Sequence, residues 1–105
     1  MKDDSQDVPF VDLNHTLSDA EMKVVEQIIT RAVLDSVDQP KDTLEQHLAT
    51  QIKLMLEHRL QGAWNCVVGD KFGVSVNVES NTYGQFFVDD RFNVFIYRSL
   101  SMAMR

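Results

Sequence analysis

Apolar and polar residues follow two different periods along this chain, and the change comes near Gly62. Before it, apolar residues recur every three or four positions, which is the period of an amphipathic helix. Ser18 and Glu21 are spaced as a capping box, which marks the start of a first helix expected over residues 19–36. A polar segment with Pro40 ends it, because the residue before a proline is pushed out of the helical conformation.

A second helix is expected to begin at Thr43 and to stop at Gly62. Thr43 suits an N-cap because Gln46 follows three residues later, and glycine is the usual residue just past a helix end. Six apolar residues fall on one face of this helix and form its predicted core stripe: Leu44, Leu48, Ile52, Met55, Leu56 and Leu60.

After Gly62 the period becomes two, which is the period of β-strands. The strictest alternation runs from Phe72 to Val78, where apolar side chains alternate with small or polar ones. Short polar or glycine-containing segments separate the apolar runs and are typical of turns. Four strands are therefore expected here, at Trp64–Val68, Phe72–Val78, Tyr83–Val88 and Phe92–Tyr97.

One more apolar segment, from Val8 to Leu13, precedes the helices. Pro9 has no amide to donate to a sheet, so a strand here must lie at an edge. The sequence thus predicts an α+β fold with a short edge strand, two helices and then a four-stranded antiparallel meander. We expect an acidic N-terminal tail at residues 1–9, one domain at residues 10–99 and a C-terminal tail at residues 100–105.

Composition and charge narrow the class of protein. The 105 residues are 44% hydrophobic and 25% charged, which suits one domain with its own core. The net charge of −6 opposes nonspecific binding to nucleic acid, because that affinity comes largely from cations on phosphates. No secretory signal or membrane-length apolar run is visible, so we expect an intracellular chain with neither nucleic-acid nor membrane partners.

Candidate chemistry is sparse. Cys66 shares a predicted strand face with apolar residues, which favours a buried thiol over a catalytic nucleophile. His47 and His58 lie ~16 Å apart along the second helix, at 1.5 Å per residue, too far to bind one metal ion. Asp89 and Asp90 fall at an expected hairpin tip, where both carboxylates stay hydrated. We therefore expect no enzyme activity, no metal and no cofactor.

A spaced pattern in the second half is more specific. It consists of Trp64, Cys66, Gly69, Phe72, Gly73 and Glu79. This pattern resembles that of the eight-kilodalton dynein light chain family, also called dynein light chain type 1. The resemblance continues through Tyr83, Phe87 and the last strand, reaches back over both helices, and covers about residues 10–99.

The resemblance implies a non-catalytic homodimer in which the Phe72–Val78 strand crosses over to the partner's sheet. Extended segments of dynein intermediate chains, often with a Thr-Gln-Thr core, would add as strands in a groove between that strand and helix two. The implied groove residues are Glu45, Gln46, Phe72, Gly73, Val74, Ser75, Val76, Asn77, Val78, Tyr83, Gln85 and Phe87. The implied dimer interface contains Trp64, Asn65, Val74 and Val76.

The resemblance also implies that the peptide's Gln meets free backbone amides near Glu45 and Gln46, at the start of helix two. One departure from the family concerns the dimer. The family commonly has a histidine after the tryptophan, whereas this chain has Asn65, so we expect a dimer that is insensitive to mild acid.

Further departures fall in the implied groove. Val78 stands where the family usually has a histidine, Ser75 replaces an aromatic residue, Asn77 a threonine and Gln46 a lysine. A peptide threonine would lose partners there, so general Thr-Gln-Thr segments should bind weakly. The connection between the helices, from Asp35 to Asp42, is also a few residues longer than usual in the family.

These departures favour a light chain dedicated to one or few partners, with a motile-cilium (axonemal) dynein as the natural candidate. It would pair with itself or with another light-chain paralogue, and would be found in the cytoplasm, on the microtubule cytoskeleton and in the cilium. Two alternatives stay open. One is a general dimerisation hub for short linear motifs of unrelated cytoplasmic proteins, and the other is a small enzyme that uses Cys66.

Overall fold

A short strand and two helices precede three further strands in the structure, a computed structural model that describes residues 8–69 and 82–99. The predicted strand Phe72–Val78, residues 1–7 and residues 100–105 lie outside the described residues. The described elements are β1 (Phe10–His15), α1 (Asp19–Asp35), α2 (Lys41–Arg59), β2 (Ala63–Gly69), β3 (Tyr83–Val88) and β4 (Phe92–Ser99).

The four described strands form one antiparallel sheet in the order β1-β3-β4-β2. The α+β class and the succession of elements are confirmed, and β1 lies at an edge as Pro9 predicts. The strand order differs from the predicted meander. In a meander, strands pair in chain order, so Phe72–Val78 and β3 would lie between β2 and β4. β2 and β4 are neighbours instead, paired from Ala63 with Ser99 to Gly69 with Asn93. Chain order alone did not reveal this, because it cannot show where residues 70–81 run.

The start of α1 is the predicted one. The Ser18 hydroxyl accepts a hydrogen bond from the Glu21 amide, and a Glu21 carboxylate oxygen accepts one from the Ser18 amide, both at 3.1 Å. The two bonds satisfy amides that have no partner inside the helix. The helix ends at Asp35, one residue before the predicted boundary.

The start of α2 differs from the prediction. The helix begins at Lys41, directly after Pro40, and Thr43 is not its cap. Pro40 has the fixed φ of −61° and no amide hydrogen, so it suits the edge of a helix without a capping side chain. The Thr43 hydroxyl instead donates to the Pro40 carbonyl at 3.3 Å. Lys41 and Asp42, the last two residues of the long connection, therefore lie in the first turn of α2.

Both helices pack on the same face of the sheet, which we call the inner face. Alternate strand residues on this face join the helical stripe in one core, and Trp64 has no exposed surface. The largest fully buried side chains are Trp64, Phe86, Ile28, Ile29, Leu48, Ile52 and Leu56. No helix in the described parts of the chain is long and apolar enough to span a membrane.

Candidate partner-binding site

The segment 70–81 joins two parallel strands that are not neighbours. β2 and β3 both run antiparallel to β4, which lies between them, so β2 and β3 are parallel to each other. Gly69 at the end of β2 pairs with Asn93, whereas the Thr82 carbonyl accepts from the Arg98 amide at 3.0 Å. The two flanks of the segment therefore lie at opposite ends of β4.

The outer edge of β2 has no paired strand among residues 8–69 and 82–99. Helix α2 is fastened to the start of this strand by one carboxylate. Glu57 accepts hydrogen bonds from the Trp64 amide and from Lys53 Nζ, both at 2.9 Å. These two donors, the Lys53 ammonium first, hold the pKa of Glu57 below its ordinary value. The border of α2 and β2 is thus fixed in place beside a strand edge that no described strand occupies.

Glu45 and Gln46 lie in the second turn of α2, near the hairpin that joins β3 to β4. Glu45 is half-buried in a cavity lined also by Arg91 and Phe92, and Gln46 is exposed. Amides this far into a helix are bonded to carbonyls of the preceding turn.

The free backbone amides that were predicted near Glu45 and Gln46 lie one turn earlier in α2. Because α2 begins at Lys41, the amides without an intrahelical partner are those of the first turn, at Lys41 and Asp42. The amide of Thr43 already donates to the Pro40 carbonyl at 3.1 Å. The sequence prediction missed this shift because it placed the cap at Thr43.

Tyr83, Gln85 and Phe87 lie on the outer face of the sheet, opposite the helices, and all three are half-buried. The Tyr83 ring stacks on Phe95 with centroids 6.2 Å apart. The Thr16 amide donates to the Tyr83 carbonyl, and the Tyr83 amide donates to Thr16 Oγ1, both at 3.0 Å. Asn14 Nδ2 donates to the Tyr83 hydroxyl at 3.3 Å, so this end of β3 is held against the end of β1.

The outer face also carries aromatic residues that the sequence prediction did not include in the site. Phe95 is only 6% exposed, yet it is not part of the core cluster between sheet and helices. Tyr83 and Tyr97 flank it, the latter with ring centroids 5.6 Å away. β4 has four apolar residues in succession, from Val94 to Tyr97, so alternation could not reveal that Phe95 and Tyr97 lie on a second apolar surface.

The two described residues of the predicted dimer interface lie on opposite faces. Trp64 is buried on the inner face, and its Nε1 donates to the Gln61 carbonyl at 3.2 Å. Asn65 is on the outer face, where its Nδ2 donates to Ser99 Oγ at 2.6 Å. Any side-chain role in an outer-face interface therefore falls to Asn65. Seven groove residues, 72–78, which include the interface residues Val74 and Val76, are outside the described residues.

Comparison with known proteins identifies the family. The family model described as dynein light chain type 1 matches residues 11–99. The chain belongs to the dynein light chain type 1 family. A curated protein named dynein light chain, from Schistosoma mansoni, is 35% identical over 51 residues, which are 49% of this chain. The match spans 57% of that relative's length. The resemblance seen in the Trp64–Glu79 pattern is thereby confirmed.

Solved structures agree on the dynein light chain fold. The dynein light chain-like domain of the Fasciola hepatica calcium binding protein FhCaBP2 superposes with a TM-score of 0.74 at 15% identity, covering 94% of this chain and 99% of that one. The similar domain of CsTAL3 gives a TM-score of 0.58 at 16% identity, covering 85% and 90%. At these identities the likeness concerns the fold alone.

The candidate residues for catalysis or metal binding do not form a metal site in the described part of the chain. Cys66 is half-buried on the inner face of β2 against the core, and desolvation raises the pKa of its thiol. A neutral thiol is a poor nucleophile, so this position opposes the use of Cys66 in catalysis. Within the described residues, no three His, Cys, Asp or Glu side chains come together as metal ligands.

Proposed function

We propose that this chain is a non-catalytic light chain of a dynein motor complex. It dimerises and holds extended segments of dynein intermediate chains by adding them as β-strands. The observation that carries the proposal is the outer edge of β2 beside α2, which no other strand of the described residues pairs with, in a chain that matches the family over residues 11–99.

The position of the flanks of residues 70–81 supports strand exchange. A connection between parallel strands must cross a face of the sheet, and α1 and α2 already fill the inner face. The twelve residues include the alternating run Phe72–Val78, which is long enough to pair with another sheet. We infer that this run pairs with the outer edge of the partner's β2, and that the partner's run returns the contact. Such a reciprocal contact closes as a twofold dimer.

The outer face supports the same dimer. Val67 is 46% exposed on this face, beside the cluster of Tyr83, Phe95 and Tyr97. Asn65 lies next to Val67 on the same strand face and offers an amide to a facing chain. An apolar surface with aromatic residues and few charges suits an interface core.

The partner peptide would enter between the exchanged strand and α2. Its backbone would pair with residues 72–78. The groove, or the strand that forms it, would be shaped and supported by five further residues: Glu45, Gln46, Tyr83, Gln85 and Phe87. A polar side chain of the peptide would meet the Lys41 and Asp42 amides, one turn further out than the resemblance implies. Two grooves in one dimer make binding bivalent and raise avidity.

The groove substitutions favour a restricted set of partners. Val78 cannot donate or accept a hydrogen bond, and Ser75 offers little surface, so a Thr-Gln-Thr segment gains little there. This supports a dedicated light chain in axonemal dynein, located on the cytoskeleton of the cilium. A general hub would need a groove that accepts unrelated motifs.

A pair of matched variants tests the proposal. Val67→Asp places a charge on the proposed dimer face, and Leu54→Asp places one on an apolar side chain of α2 that is 54% exposed. Sedimentation should give a dimer for the wild type and for Leu54→Asp, and mainly monomer for Val67→Asp. A monomeric wild type, or a dimer that tolerates Val67→Asp, would contradict the proposal.

Partner capture tests the second half of the proposal. Tagged wild type incubated with ciliary extract should retain dynein intermediate chains at moderate salt, and Val67→Asp should retain far less because avidity is lost. Recovery of many unrelated proteins with a shared linear motif would instead establish the general hub. Recovery of a second light chain in the same dimer would identify a heterodimer.

A further inference from the structure

Two adjoining cavities open at the end of the molecule where the α1–α2 connection meets the β3–β4 hairpin. Their volumes are about 320 and 540 Å³, and they share Leu44, Arg91 and Phe92. The smaller one has an apolar floor, because Leu48 and Phe92 are buried beneath it. Val37 stands at its rim with 73% of its surface exposed, the highest value among the exposed large apolar side chains of the described residues.

The rim of these cavities is acidic. The segments 37–45 and 89–92 contain five carboxylates against Lys41 and Arg91. Asp42, Glu45 and Asp89 line the cavities themselves. One of the two cations is already engaged, since the Arg91 guanidinium lies 4.4 Å from the centroid of the Phe92 ring. The opening therefore presents negative charge around an apolar floor.

We propose that this acid-rimmed pocket binds a polypeptide segment with one bulky apolar side chain flanked by lysine or arginine. The volume of the smaller cavity is at the low end of small-molecule pockets, roughly 300–1,000 Å³, and suits a single large side chain. The flanking cations meet the carboxylates, which also raise the association rate. Lys41, Asp42 and Glu45 also belong to the proposed strand-addition groove, whereas Val37, Leu48, Asp89 and Phe92 do not, so the pocket adjoins the groove as a second contact on the light chain.

Charge argues against the two other candidate occupants. The chain's own residues 1–7 contain three aspartates and one lysine, so they carry the same sign as the rim. A second copy of the chain has a net charge of −6, so it lacks the general charge complementarity that the acidic rim would favour. A basic, apolar segment from another protein has the complementary chemistry.

The test uses a fluorescein-labelled peptide, Gly-Lys-Arg-Phe-Leu-Lys-Arg-Gly, and the full chain labelled with ¹⁵N. Polarisation should show binding that weakens with salt, because exposed charges are screened beyond about 8 Å at physiological ionic strength. Amide shifts should concentrate at Val37, Asp89 and Phe92. A version of the peptide with Glu in place of each Lys and Arg should bind at least tenfold more weakly.

Three variants decide whether the pocket is responsible. Asp89→Asn should weaken binding about threefold, since it removes one charge and asparagine tolerates the left-handed backbone at this position. Val37→Ser should weaken it about fivefold or more, because it removes the exposed apolar rim. The control Glu26→Gln removes one exposed charge from α1 and should leave affinity unchanged.

Several results would overturn the proposal. If Glu26→Gln lowers the affinity as much as Asp89→Asn does, the binding depends on net charge and not on the pocket. If the amide shifts are confined to the edge of β2, the peptide binds in the strand-addition groove. If replacing residues 1–7 by a Gly-Ser stretch tightens binding fivefold or more, the chain's own N-terminus is the occupant. If the same amides shift with protein concentration alone, the occupant is a second copy. If the peptide does not bind even at low salt, the proposal is also rejected.

Discussion

The guanidinium of Arg98 lies over the indole of Trp64, with its Cζ 5.4 Å from the ring centroid. Its Nη1 donates to the Gln61 carbonyl at 3.3 Å and its Nη2 donates to Thr82 Oγ1 at 3.1 Å. One side chain of β4 therefore ties the turn before β2 to the residue that precedes β3. It fixes the point at which the chain returns from residues 70–81.

Replacement of Arg98 by methionine should destabilise the fold by about 1–3 kcal/mol, since the cation–π contact and two hydrogen bonds are lost while the apolar stem is kept. Arg91→Met is the matched control, because Arg91 lies over Phe92 at an exposed site. That change should cost less than about 1 kcal/mol. Urea unfolding of both variants checks this, and equal losses would contradict a special role for Arg98.

Gly62 should be intolerant of alanine. Its φ is +106°, and an added Cβ would collide with Cδ of Arg98. The backbone strain alone should cost about 1–3 kcal/mol. Pairing Gly62→Ala with Arg98→Ala should relieve the clash and leave the strain, so the double variant should lose less stability than the two single losses added together. Additive losses would mean that the Arg98 stem moves aside freely.

The hairpin tip should gain stability from a change of residue type. Asp89 and Asp90 have φ of 59° and 55°, the left-handed values of a type I′ turn, which favours Asn-Gly. Asp89→Asn with Asp90→Gly should stabilise the fold by about 0.5–1 kcal/mol. Thermal unfolding measures the gain. The reverse pair, Asp89→Gly with Asp90→Asn, is a control for charge removal and should gain less.

The local periods of the sequence predicted most of the elements, because each short signal acts within a few residues. The Ser18–Glu21 capping box, the core stripe of α2 and the hairpin at Asp89–Asp90 all depend on neighbouring residues. The N-terminus of α2 was misplaced because two local signals compete there. The fixed φ of Pro40 starts the helix earlier than the side chain of Thr43 would.

The strand order and the outer face were harder to predict, because both depend on distant pairings. Nothing within β2 shows that its neighbour is β4, whose paired residues lie 24 positions (Gly69 with Asn93) to 36 positions (Ala63 with Ser99) later in the chain. β4 likewise presents apolar residues on both faces, so its sequence alone does not show that Phe95 lies on the face opposite the helices. Strand order and the outer apolar face both arise from tertiary packing, so they can be predicted from the sequence only when the partner strand is known.

Acid sensitivity of the fold should depend in part on Glu57. Its pKa is lowered in the folded state by Lys53 and by the Trp64 amide, so its contribution is present at neutral pH and is lost as the pH falls below the ordinary carboxyl value of 4.5. Glu57→Gln keeps an acceptor for the amide and removes the charge. Its unfolding free energy should be lower than wild type at pH 7 and should approach wild type near pH 3. A constant gap across this range, in urea titrations, would contradict this assignment.

The response of the proposed dimer to acid should depend on Asn65, which lies on the outer face and cannot titrate. The wild-type dimer should persist between pH 7 and pH 5. Asn65→His places a group with an ordinary pKa of about 6.5 at the proposed interface. Dimerisation would bury the imidazole and disfavour its charged form, so the pKa of the histidine would be lower in the dimer than in the monomer. The dimer would therefore lose stability as the pH falls. Sedimentation should then show monomer at pH 5 and dimer at pH 7, whereas the non-titrating control Asn65→Gln should behave alike at both. Dissociation of the wild type at pH 5 would instead implicate one of its three histidines and reject Asn65 as the determinant.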